Sequence, residues 1–173
     1  MREFVTYAEL RKFGSEVDAA RLLKEATASE GKTAFLSHSS ADDELLPGVI
    51  SILENHGGKV YVDKKDLVLK QLEIFDIASR LRDAVSFCRK FVLFVTPRSK
   101  GSSWIPWELG MGDGCNRHVN VAIFPSAETA HEQRWSEQEF LGLYQRIIWG
   151  DFKNDGKGLW MVLDQRKDTA NQT

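Results

Sequence analysis

Short apolar runs alternate along this chain with longer stretches whose hydrophobic positions recur every three or four residues. That rhythm predicts βα units and a parallel sheet. Residues 33–37 predict the first strand. Leu45, Val49, Ile52, Leu53 and His56 then mark one helix face, stopped by Gly57 and Gly58. Ser40 and Asp43 have the spacing of a capping box, and Pro47 moves the helix start toward Asp43. Residues 59–63 predict a second strand, followed by a polar and basic connection and a helix carrying Ile74, Ile77, Leu81, Ala84, Val85 and Cys88.

The third run, residues 91–96, is apolar on both faces and reads as a central parallel strand ended by Pro97. Ser102 or Ser103 can cap a short helix from Trp104 to Gly110, with Gly110, Gly112 and Gly114 terminating it. Residues 119–124 predict a fourth strand stopped by Pro125. Ser136 and Glu139 open a predicted helix through Phe140, Leu143, Tyr144 and Ile147. A turn at residues 154–158 leads to a fifth strand at 159–163. Upstream, Thr6 with Glu9 and Ser15 with Asp18 predict one or two helices around a break at Gly14.

Composition narrows the class. With 173 residues, 42% hydrophobic and 28% charged, the chain is expected to fold as one globular domain. A net charge of −2 argues against the broad basic surface that nucleic acid binding needs. The first residues carry no apolar signal core, and no stretch approaches the ~20 apolar residues that span a bilayer. A soluble, cytoplasmic protein with no membrane partner is expected. Cys88 and Cys115 lie outside any metal-binding spacing, so both are expected to be reduced, buried thiols and no metal site is predicted.

Two phosphate-binding patterns fail on context. Gly31-Lys-Thr33 lacks the earlier glycine of a P-loop and precedes a strand, and Gly110-Met-Gly112-Asp-Gly114 has the wrong spacing for a dinucleotide fingerprint. What remains is the polar material after each strand, where open parallel sheets bind ligands. Three clusters stand there: Ser37, His38, Ser39 and Ser40; Asp63, Lys64 and Lys65; and the stretch from Ser99 to Glu108. Trp104 and Glu108 are one helical turn apart, which sets a carboxylate beside an aromatic surface suited to a flat heterocycle. Spacing alone leaves another reading open. In it Trp104 is core packing, Glu108 a cap or ion pair, His38 a hydrogen-bonding loop residue, and Lys64 and Lys65 a solvated stretch.

Phe35-Leu-Ser-His-Ser-Ser-Ala-Asp42, Val60-Tyr-Val-Asp63, Phe94-Val-Thr-Pro-Arg-Ser99 and Ser103-Trp-Ile-Pro-Trp-Glu-Leu-Gly110 resemble the successive signature blocks of Toll/interleukin-1 receptor (TIR) domains, bacterial ones in particular. The resemblance is close over residues 32–126 and looser beyond. It implies a flavodoxin-like, three-layer α/β fold with a five-stranded parallel sheet. On this reading residues 1–32 form an amino-terminal helical extension, 33–164 the TIR domain and 165–173 a flexible tail.

Many TIR domains of this kind consume NAD+, and the resemblance implies Glu108 as the catalytic glutamate, with Trp104 matching the family's tryptophan four residues earlier. Phe35, Ser37, His38, Ser39, Ser40, Asp63, Lys65, Ser99 and Trp104 are the implied substrate-binding residues. NAD+ is then the substrate and no bound cofactor is expected. The sequence departs from the family pattern at His38, Ser39 and Ser40, where many members carry Arg in the loop, and at Lys70-Gln71, where Pro-Gly is frequent. The implied activity releases nicotinamide and either ADP-ribose or a cyclic ADP-ribose isomer, in bacterial antiphage defence, with self-association between TIR domains and a separate effector protein responding to the product. The alternative is a non-enzymatic interaction module that scaffolds through TIR contacts.

Overall fold

The structure is a computed structural model that describes residues 4–28, 31–62, 74–102, 104–117, 120–129, 131–132, 139–151 and 158–163. Of the expectations above, those for Asp63, Lys64, Lys65, Lys70, Gln71, Ser103, Ser136, most of the 154–158 turn and the tail lie outside these residues.

Among the described residues, seven strands form one sheet. They are β1 (Val5–Thr6), β2 (Ala34–Ser37), β3 (Val60–Tyr61), β4 (Lys90–Val95), β5 (Val121–Ala127), β6 (Gln145–Asp151) and β7 (Gly158–Leu163). Five of them run parallel in the spatial order β3-β2-β4-β5-β6. This is the flavodoxin-like order, in which the chain reverses direction across the sheet between β2 and β4. Helices α1 (Tyr7–Ser15), α2 (Ala19–Ala26), α3 (Leu46–Asn55), α4 (Ile74–Phe87) and α5 (Trp104–Asn116) cover the two faces.

The layering follows from side-chain alternation along each strand. Phe35, Phe91, Leu93 and Ile123 face one way and pack with Leu81 and Val85 of α4 and Ile105 and Leu109 of α5. Leu36, Val92, Phe94 and Phe124 face the other and pack with Leu10 of α1 and Val49 and Ile50 of α3. Burying each such side chain contributes roughly 1.5–3 kcal/mol. Two apolar faces therefore fix a three-layer stack.

The structure corrects several expectations. The fifth parallel strand is β6, where the sequence predicts a helix through Ile147. Phe140, Leu143, Tyr144 and Ile147 do recur at helical spacing, but Leu143 is exposed while the adjacent Ile147 and Ile148 are both buried. The Gln-Arg-Ile-Ile-Trp segment pairs its first two residues with β5 and the rest with β7, leaving only a 3-10 turn at Glu139–Leu143. The predicted fifth strand exists as β7, but it pairs antiparallel to β6.

Glycines read as helix stops lie inside helices. Gly110, Gly112 and Gly114 belong to α5, and a Cβ on Gly112 would sit 2.6 Å from the Phe91 ring. Its missing side chain lets α5 approach β4. Gly14 likewise lies within α1, facing Pro47 and Gly48 at 3.3 Å, and the break comes later, with Asp18 capping α2 through Arg21 N–H at 3.1 Å. The helix after β2 starts at Leu46, preceded by a 3-10 turn at Ser40–Leu45 that Ser39 caps, so Pro47 sits harmlessly in the first turn. β5 continues through Pro125, which falls between the residues that pair with β6 and those that pair with β1. Cys88 is buried, its thiol pushed up to about 11 by burial, whereas Cys115 is exposed rather than buried.

Residues 4–28 hold two helices, where the sequence predicts one or two, and, in addition, a strand. β1 pairs parallel with β5 at Ser126 and Ala127, and Ser126 Oγ donates to the Val5 carbonyl at 2.7 Å. Among the described residues, no helix is long and apolar enough to cross a membrane.

Candidate active site

β2 and β4 flank the point where the strand order reverses, so their carboxyl ends open onto the crevice that parallel sheets use for ligands. Ser37 is the last residue of β2 and is buried. Its Oγ donates a short hydrogen bond to Oε2 of Glu108, which stands on the second turn of α5. Glu108 is 0% exposed. A carboxylate so placed needs hydrogen-bond donors or charge to offset its desolvation, and Ser37 supplies one of them.

The other predicted residues of the first loop divide. His38 is buried and its Nε2 lies 3.0 Å from Asp43 Oδ1. Ser39 Oγ accepts from the Ala41 N–H at 3.4 Å, which makes it the cap of the Ser40–Leu45 turn, and Ser40 is exposed. Phe35 points to the same face of β2 as Ser37 but lies in the core, stacked on Phe91 at 5.5 Å and tilted against Tyr61 at 5.7 Å. It forms the floor beneath the serine.

Trp104 opens α5, half-buried against the core, and meets the more exposed Trp107 edge to face at 5.6 Å. Ser99 is buried and engaged locally: its Oγ accepts from Thr96 N–H at 3.0 Å and donates to the Thr96 carbonyl at 2.9 Å. The structure therefore joins Ser37 directly to Glu108 and commits Ser99 to shaping the turn after β4.

Two residues that the motif reading does not single out occupy the same end of the sheet. Asp42 is 0% exposed, and both of its carboxylate oxygens lie 2.9 Å from the donating Thr96 Oγ1. Burial raises the Asp42 carboxyl to about 6, against the opposing pull of the Thr96 hydroxyl and the Arg98 charge. The signal for Thr96 is present in the sequence as Thr-Pro-x-Ser, a reciprocal cap with Ser99 in place of the usual acidic partner. Asp42 closes the first family block, but nothing local announces its bond to Thr96, which lies 54 positions away.

Among the described residues no cluster of His, Cys, Asp and Glu is arranged to hold a metal ion. An apolar groove of about 530 Å³ runs along the outer side of α5, lined by Arg82, Pro106, Trp107, Gly110 and Met111 among others. Among the described residues, none of the predicted substrate residues lines it.

The family model described as TIR domain matches residues 34–160. A curated protein of Bacillus cereus (strain MSX-D12), named probable 3′ cyclic ADP-D-ribose synthase ThsB′, is 29% identical over 172 residues, covering 94% of this chain and 88% of that protein.

Proposed function

The chain belongs to the TIR domain family, and from that premise we propose that it is an enzyme that breaks the bond between nicotinamide and ribose in NAD+. The observation that carries the reading is the buried Glu108 carboxylate, held by Ser37 at the carboxyl edge of the sheet where the strand order reverses.

The substrate sets what the site must do. Nicotinamide leaves NAD+ as a neutral molecule from a cationic linkage, so its departure requires no proton donor. One carboxylate suffices, in contrast to the acid and nucleophile pair of ordinary glycosidases. Glu108 binds the ribose hydroxyls and stabilises the positive charge that grows at the anomeric carbon as the bond breaks. Ser37 orients that carboxylate, and Trp104 borders the nicotinamide end. His38, Ser39, Ser40, Asp63, Lys65 and Ser99 belong to the surrounding substrate loops in this reading.

Attack on the anomeric carbon by water gives ADP-ribose, while attack by a hydroxyl of the same molecule gives a cyclic isomer; either nucleophile loses one proton. The name of the Bacillus cereus relative supports the second outcome. We therefore assign the chain the synthesis of a cyclic ADP-ribose isomer, as a signal in antiphage defence that a separate effector reads. Because Glu108 is completely covered, a dinucleotide reaches it only after neighbouring groups move.

The test is nicotinamide release from NAD+ by purified protein, measured over a range of protein concentration and with crowding agents. Glu108→Gln should abolish release without lowering the melting temperature, and mass spectrometry should find a cyclic product. Equal release by wild type and variant would sink the catalytic assignment. Linear ADP-ribose as sole product would sink the cyclase assignment, and an inert but assembling wild type would put the scaffold reading in its place.

A further inference from the structure

Asp42 is a fully buried carboxylate outside the proposed chemistry, and its surroundings form a continuous set of contacts. The Thr96 hydroxyl is committed in every direction. It gives its proton to Asp42 and accepts from the N–H groups of Arg98 at 3.0 Å and Ser99 at 3.2 Å. The end of β4 and the turn after it are thereby tied to a residue of the segment that follows β2. Asp42 in turn donates its backbone N–H to the Ser39 carbonyl at 2.9 Å. Any shift of Asp42 is thus passed directly to the loop bearing Ser37, His38, Ser39 and Ser40.

The amino-terminal segment closes the same assembly. Tyr7, the first residue of α1, is buried, and burial raises its phenol above the ordinary value. The Arg98 guanidinium lies 4.5 Å over the Tyr7 ring and donates to Glu44 Oε1 at 2.8 Å. Arg11 of α1 donates to the same oxygen at 2.9 Å. The backbone of α1 sits directly on the start of α3: a Cβ on Gly48 would fall 2.1 Å from the Leu10 carbonyl oxygen.

These contacts differ in weight. Exposed ion pairs such as those of Glu44 are screened by solvent and restrain little, whereas losing the donor to a buried carboxylate leaves a desolvated group unsatisfied. The Thr96–Asp42 bond is the dominant restraint.

We propose that Asp42 and Thr96 are positioning residues that hold the loop of Ser37, His38, Ser39 and Ser40 against Glu108, and that residues 4–15 are part of this support through Tyr7 and Arg11. The consequence for catalysis rests on the NAD+ reading above; the anchorage itself does not. Thr96→Val keeps the shape of the side chain and removes the hydroxyl, and Thr96→Ser restores it.

The experiment pairs amide hydrogen exchange with NAD+ kinetics on wild type, Thr96→Val and Thr96→Ser, with melting temperatures to establish folding. In Thr96→Val the amides of residues 37–45 should exchange about tenfold faster or more while those of α4 keep their protection. The KM for NAD+ should rise several-fold with a smaller change in kcat, and Thr96→Ser should return both toward wild type. Unchanged exchange over residues 37–45 would overturn the proposal, as would faster exchange with an unaltered KM. A uniform rise in exchange across the whole chain would also count against it, since the effect would then be general unfolding. A wild type that releases no nicotinamide refutes the NAD+ reading, and the exchange comparison still decides whether Thr96 holds the loop.

Discussion

The Ser37 hydroxyl donates to the Glu108 carboxylate across 71 positions of sequence, joining the last residue of β2 to the second turn of α5. Both residues are buried, so the bond forms part of the fold and part of the site at once. Ser37→Ala should lower stability by about 1–3 kcal/mol, because it withdraws a donor from a buried carboxylate. For a chain of this size that is a fall in melting temperature of roughly 2–12 °C. In a Glu108→Gln background the same change should cost less, and a double-mutant cycle of thermal unfolding measures the coupling.

Asp42 predicts a pH dependence whose sign can be worked out. Its carboxyl stands at about 6 in the folded chain against an ordinary value of 3.8, so between these values the folded state binds the extra proton. The contribution of this group to stability is therefore full below about pH 4 and lost as pH rises through 6. Asp42→Asn mimics the neutral acid and still accepts from Thr96. Its stability relative to wild type should be greatest at pH 7–8 and should decline as pH falls from 6 toward 4. Denaturant unfolding of the two proteins at matched pH checks this; a difference that grows on acidification would contradict the burial argument.

Two glycines of α5 make opposite predictions. Gly112→Ala drives a methyl group into the Phe91 ring and should destabilise by about 1–3 kcal/mol. Gly110→Ala meets nothing within 4 Å and replaces a poor helix former with the best one, so it should stabilise by about 0.4–1 kcal/mol. Thermal melts of the two variants should move in opposite directions.

Deleting residues 1–15 should do more than remove a dispensable extension. It strips β1 from β5, takes Phe4, Tyr7 and Leu10 from the core, and removes Arg11 from Glu44. The expected outcome is loss of cooperative unfolding, read by circular dichroism. A truncated chain that melts like the full one would show that this segment carries no structural weight.

Much of this was legible from local patterns. The alternation of apolar runs with helical spacing marks β2, β3, β4 and β5 and the helices α3 and α4, because each element's own side chains must line a core face. The Thr6 and Glu9 pair announces the start of α1, where the Glu9 carboxylate accepts from Thr6 N–H at 2.9 Å. The blocks around Ser37 and Glu108 mark two candidate residues that the structure brings together.

Other features depend on partners that no local window contains. Residues 145–151 become a strand because β5 offers hydrogen bonds at Gln145 and Arg146 and β7 along residues 146–151, which outweigh a helical spacing that only part of the segment obeys. Gly112 is a packing residue because Phe91 lies against it, and β1 exists because β5 extends past Pro125 to receive it. Local pattern is enough for the class of fold and for the candidate residues Ser37 and Glu108 near the strand ends. Tertiary packing alone sets which strand completes the parallel sheet, that Ser37 bonds to Glu108, and that Asp42 is buried against Thr96. These are pairings between residues distant in the chain, set by packing and by the need to satisfy buried polar groups rather than by any residue's local preference.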